Sequence, residues 1–91
     1  MPDKITFYAI VDGTTTAERP LGLLRRLEYS EGGFMDEGLR HDFSWDFTPL
    51  IVEWERGDFG YELVGVSHAQ ASKIIEYFRE KWGAFGQPVD S

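Results

Sequence analysis

Between Ser67 and Trp82, the residues Ala71, Ile74, Ile75, Phe78 and Trp82 recur at spacings of three and four. Side chains at those spacings lie above one another on a helix, so the segment carries a single apolar face. A helix of this kind is stable in water only when that face is laid on another apolar element. Its start is marked too. Ser67 and Gln70 have the spacing of a capping box, in which each side chain bonds the other's backbone amide. Gly83 predicts the end of the helix, leaving residues 1–3 and 84–91 as flexible termini. The remainder of the chain must supply the surface for this helix, and its patterns are those of strands.

Lys4 to Val11 is rich in β-branched and aromatic residues and reads as a strand. Ile5, Phe7, Ala9 and Val11 take one face, and Lys4, Thr6, Tyr8 and Ile10 the other. Asp12-Gly13 ends it, and residues 14–20 form a polar connector. Leu21 to Ser30 fits two periods. Leu21, Leu23, Leu27 and Tyr29 alternate, with Arg25 as the exception, while Leu23, Leu24 and Leu27 also fit a helical stripe. A strand is preferred, because Gly22 weakens a helix and Glu31-Gly32-Gly33 makes a hairpin turn into a second strand, Phe34 to Arg40. Arg25 then falls on the apolar face, where it can pair across the hairpin with Asp36 or Glu37.

Thr48-Pro49 predicts a helix start, threonine as N-cap and proline in the first turn, with Leu50, Ile51 and Trp54 as its apolar stripe. Arg56-Gly57 closes that helix, although Ile51-Val52 also suits a strand. Phe59 to Val66 is a strand with Phe59, Tyr61 and Leu63 on one face and Val64 and Val66 on the other, a pattern expected of a central strand. The order β-β-β-α-β-α over residues 4–83 predicts one small α+β domain. Its mainly antiparallel sheet would have three to four strands, with the C-terminal helix on one face.

Phe43-Ser-Trp45-Asp-Phe47 alternates aromatic residues with small or acidic ones, either as a hairpin extension or as a short strand of its own. Trp54, Phe59, Tyr61, Phe78 and Trp82 compete for the same core. At roughly 150–250 Å² per buried aromatic side chain, so small a core leaves part of this set outside. At least one of Trp45, Trp54 and Tyr61 is expected to be substantially exposed, beside Asp46, Glu53 and Glu62. Together these six residues are the candidate partner or self-association surface. Whether the Phe43, Trp45 and Phe47 face is core or interface stays open at this point.

Four segments carry a resemblance. Gly22-Leu-Leu-Arg25-Arg26, Gly33-Phe-Met-Asp36-Glu37, Trp45 with Thr48, and the junction Glu62-Leu-Val-Gly-Val-Ser67 resemble small acidic actinobacterial proteins of unknown function. The resemblance covers most of residues 4 to 82. It implies one compact bacterial domain with this element order, and no activity.

Composition narrows the function. The 91 residues allow one domain and contain no cysteine, which excludes a disulfide framework, thiolate metal site or cysteine nucleophile. Met1-Pro-Asp-Lys-Ile lacks the basic and apolar regions of a signal peptide, and no stretch has the ~20 apolar residues of a membrane span. The expectation is a soluble cytoplasmic protein without a membrane partner. Sixteen acidic residues against nine basic ones give a net charge of −7, which repels nucleic-acid phosphates and suits a basic protein partner.

Neither a catalytic centre nor a metal or cofactor site is expected. His41 has Asp36, Glu37, Asp42 and Asp46 within five residues, but no His-x-x-x-His or calcium-loop spacing accompanies it. A solvated histidine in an acidic loop is the expectation, and His68, at a helix start where positive charge is disfavoured, is read as structural. Glu53, Glu55, Asp58 and Glu62 are read as a surface cluster, because paired catalytic carboxylates need a pocket that separates their pKa values. Three functions are weighed. The first is a non-enzymatic module presenting aromatics and carboxylates to a basic protein. The second is a homo-oligomeric structural protein, a homodimer being its simplest form. The third, a small enzyme or ligand site around His41, lacks motif spacing and room for a pocket.

Overall fold

A computed structural model describes the backbone of residues 2–86 and the side chains of residues 2–82. In chain order the elements are β1 (Lys4–Val11), β2 (Gly22–Glu28), β3 (Phe34–Leu39), β4 (Trp45–Phe47), α1 (Leu50–Glu55), β5 (Glu62–Val66) and α2 (His68–Gly86). Among the described residues, five strands form one antiparallel sheet in the order β4-β3-β2-β1-β5. The α+β architecture with α2 on one face is the one the sequence predicts.

Of the residues with two readings, 21–30, Gly22–Glu28 form a strand. Tyr29 accepts from the Gly32 amide, and Gly32 and Gly33 take positive φ angles of 104° and 89°, which close the β2–β3 turn. The sheet has five strands rather than three or four because Trp45–Phe47 pairs with β3 as a separate strand, with Leu39 opposite Trp45 and Glu37 opposite Phe47. Phe43 is not part of it. It sits in the β3–β4 turn at φ 67°, where its amide donates to the Arg40 carbonyl.

One layer of the core lies under α2. Ala9 and Leu23 of the sheet meet Ala71, Ile74 and Phe78 of the helix, all buried, with Phe7, Val11, Leu39, Trp45 and Val66 packed around them. Alternation in β1 makes this work, since Phe7, Ala9 and Val11 all point to the helix. The opposite residues, Tyr8 and Ile10, pack with Leu24, Leu63, Ile51 and Trp54 under α1, so both faces of the sheet are covered. Gly38 permits the close approach of the α1 side. A Cβ there would lie 3.2 Å from Leu24 Cδ2 and 3.7 Å from Thr48.

Three boundaries and one strand position differ from expectation, each for a physical reason. β5 begins at Glu62 rather than Phe59, because its pairing to β1 starts where Val11 meets Glu62. The helix does not stop at Gly83 but runs to Gly86, since an interior glycine costs only about 1 kcal/mol and ends a helix only as a left-handed cap. Residues 87–91 of the expected tail, and Met1, lie outside the described residues. The N-cap of α1 is Pro49 rather than Thr48, because the Thr48 amide is taken by the Asp36 carbonyl at 3.1 Å as β4 leaves the sheet. Its hydroxyl still accepts from Leu50 N–H at 3.3 Å. Finally, β5 is an edge strand, not a central one. Apolar residues on both its faces report helices above and below, not strands on either side.

The signals for the end of α1 and the start of α2 hold. Gly57, at φ 83°, donates to the Trp54 carbonyl, and Asp58 donates to that of Glu53, forming a Schellman motif that closes α1. At α2, the Ser67 amide donates to Gln70 Oε1 at 2.7 Å and the Gln70 amide to Ser67 Oγ at 3.1 Å. Ser67→Ala is therefore expected to cost about 1 kcal/mol. Urea denaturation checks this, and an unchanged midpoint would show that the box does not hold the helix start.

Candidate partner-binding surface

The antiparallel pairing of β1 with β5 sets Val11 opposite Glu62. Consequently Asp12, the next residue after β1, lies beside the segment that enters β5. Val11, Asp12, Gly13, Phe59, Gly60, Tyr61 and Glu62 line a cleft of about 340 Å³. Its walls are aromatic and its charged groups are both carboxylates. Tyr61 is 48% exposed and meets the Phe59 ring edge-on at 5.5 Å. Phe59 in turn reaches the core under α1.

Trp54 joins this group through Glu62. Its body packs with the α1 core, tilted at 6.1 Å from the Tyr8 ring, and its indole N–H donates to Glu62 Oε1 at 3.3 Å. Asp12 is held in place by its own turn. Its Oδ1 accepts from the Thr14 hydroxyl at 2.7 Å, the Thr14 amide at 2.8 Å and the Thr15 hydroxyl at 3.1 Å. Those bonds, the Thr14 hydroxyl foremost, hold the Asp12 carboxyl below the usual carboxylate range. Asp12, Glu53, Asp58 and Glu62 make no ion pair among the described residues.

Of the six candidate residues, Trp54, Glu53, Tyr61 and Glu62 belong to this end of the molecule. Trp45 and Asp46 do not, because β4 and β5 are opposite edges of the sheet. Trp45 is half-buried under the Arg25 guanidinium, 4.1 Å from its ring centroid, and Arg25 pairs with Glu37 at 2.6 Å. Asp46 pairs with Arg40 at 2.8 Å. Sequence reasoning did not include Asp12 or Phe59 in the surface. The pairing that joins residues 11 and 62 is not written in either segment alone. Phe47, at 68% exposure, was also not among the aromatics expected outside.

Contrary to the expectation of no room for a pocket, His41 and Asp42 line a cleft of about 480 Å³. Asp42 is held there by the Ser44 amide and hydroxyl, and the other carboxylates are not gathered around His41. Asp36 is buried against Arg26 on the far side of the sheet, and Glu37 and Asp46 are taken by arginines. His41 is exposed in the β3–β4 turn and packs edge-on against Trp82 at 4.4 Å. The His68 ring nitrogen Nε2 lies 3.0 Å from the Ile5 carbonyl, and its ring meets Phe7 at 5.0 Å, a structural placement. Glu55 turns away from Glu53 and Glu62 to pair with Arg26 at 3.0 Å. Among the described residues no three histidine or acidic side chains are arranged to hold a metal ion. Nor is any helix there long and apolar enough to cross a membrane.

No family model, curated protein or solved structure matches the chain.

Proposed function

We propose that this protein is a non-enzymatic interaction module whose Trp54, Phe59, Tyr61 and Glu62 end binds a basic protein. One observation carries the reading: a half-exposed tyrosine lines a cleft whose charged groups, Asp12 and Glu62, make no ion pair among the described residues. Rigid aromatic surface supplies the buried anchor of an interface at low entropic cost, and uncompensated carboxylates steer a basic partner toward it. The net charge of −7 extends that steering beyond the contact itself. The resemblance to small acidic actinobacterial proteins is part of this reading, as is a cytoplasmic location.

The test is capture from the native cell with immobilised wild type, Tyr61→Ala and Glu62→Lys. A basic protein retained by the wild type is expected to elute as salt rises, and to bind each variant about tenfold more weakly. Equal capture by all three chains would move the interface elsewhere. Light scattering that shows a stable dimer, dissociated by either variant, would favour the homo-oligomeric reading instead.

A further inference from the structure

The two edges of the sheet are built differently. At β4 the edge is three residues long, and the carboxylate of Asp46 occupies the Phe47 amide at 2.9 Å. A charged side chain that consumes an edge amide is a device against strand addition. The β5 edge carries none. Its Glu62-Leu-Val-Gly-Val run has no proline and no bulge in its pairing to β1, and Glu62, Val64 and Gly65 are all exposed. A Cβ added at Gly65 would meet nothing within 4 Å, so a neighbouring backbone can approach there. The same strand begins at the acidic, aromatic cleft.

We propose that an extended segment of a basic partner adds as a strand along the outer edge of β5, seating a lysine or arginine in the cleft between Asp12, Tyr61 and Glu62. This rests on the function proposed above and specifies how that partner is held. Main-chain hydrogen bonds to β5 supply affinity without regard to sequence, and the cleft supplies the preference for a cation. An ammonium or guanidinium there meets two carboxylates beside the Tyr61 ring. Charge complementarity selects the occupant. A second copy would bring another chain of net charge −7, with its own Glu62, to the same edge, whereas a basic segment neutralises it.

The experiment uses the full chain and an alternating lysine–valine heptapeptide with blocked ends, together with two N-methylated forms. One form is methylated at the valines and the other at the internal lysines. In a strand, alternate amides point to opposite edges, so one form has its pairing edge blocked and the other keeps it. Titration calorimetry at low salt is expected to show binding of the parent peptide. One methylated form should bind about tenfold or more weakly, through its lost backbone bonds, and the other nearly unchanged. Hydrogen exchange should slow at β5 amides when the parent is bound.

Equal affinity of both methylated forms, or equal loss in both, would overturn strand addition. Tyr61→Ala or Glu62→Lys that still weakened the parent would then leave the interaction module standing. No binding of the parent, with a basic protein still captured from the cell through Tyr61 and Glu62, would likewise overturn the strand and keep the module. Protection of the β5 edge by dimerisation of the chain alone would assign the edge to a second copy and overturn the proposal.

Discussion

Replacing Phe78 with alanine is expected to lower the unfolding free energy by about 3–5 kcal/mol, a large part of the ~5–15 kcal/mol that holds a native domain. Phe78 has 0% accessibility and belongs to the cluster of Ala9, Leu23, Ala71 and Ile74 where α2 meets the sheet. Its ring is stacked on Trp82, with centroids 4.1 Å apart and planes within 6°. Truncation removes the transfer energy of the ring and leaves a cavity between helix and strands that relaxes only in part. It also takes away one side of the Trp82 contact, so tryptophan fluorescence should report the loss as well as the denaturation midpoint. An unchanged melting temperature would mean that α2 is not docked on the sheet.

Asp36→Ala should have the next largest effect, about 3 kcal/mol, because it leaves a cation without its main partner in a mostly buried place. Asp36 is 3% exposed and takes Arg26 in two bonds, Nε to Oδ1 at 2.7 Å and Nη2 to Oδ2 at 2.9 Å. The guanidinium also lies 4.1 Å from the Phe34 ring centroid and reaches Glu55 on α1, so it ties β2, β3 and α1 together. Its hydrogen bonds to Asp36 raise its pKa above the ordinary arginine value. A raised folded value stabilises the protein at every pH below the unfolded one. Arg26 therefore adds no pH dependence in the physiological range. By contrast Glu55→Ala, which removes a half-exposed partner, should cost about 0.5 kcal/mol or less. Urea titrations of the two variants, side by side, check the ranking. Equal losses would show that the Arg26–Asp36 pair is no stronger than a surface contact.

Local signals in the sequence were legible wherever the chemistry is completed within a few residues. The Ser67–Gln70 box, the Gly57 cap and the Gly32-Gly33 turn each satisfy backbone groups from side chains or φ angles nearby, and each stands as expected. Alternation in β1 gave the correct two faces because strand geometry leaves no other arrangement. The pairing of Arg25 with Glu37 across the hairpin follows from the same logic once the turn is known. What was misread had both local and distant causes. Phe43 looked like a strand residue by its spacing, yet the β3–β4 turn holds it at positive φ, where it packs against Trp82.

The candidate surface shows the same division. Tyr61 at 48% exposure agrees with the aromatic excess counted along the chain, because a core of this size cannot hold every ring. That Asp12 and Phe59 join it, and that Trp45 and Asp46 do not, was decided by strand order. By itself the sequence determined the α+β class, the Ser67–Gln70 box and the Gly57 cap, the faces of β1 and α2 and the acidic balance, since each depends on local geometry or composition. Tertiary structure decided that β5 lies at an edge, that α1 covers the second face, and which carboxylates are neutralised by arginine. Those outcomes rest on register between strands far apart in the chain, and a strand's own residues carry its faces but not the identity of its neighbours.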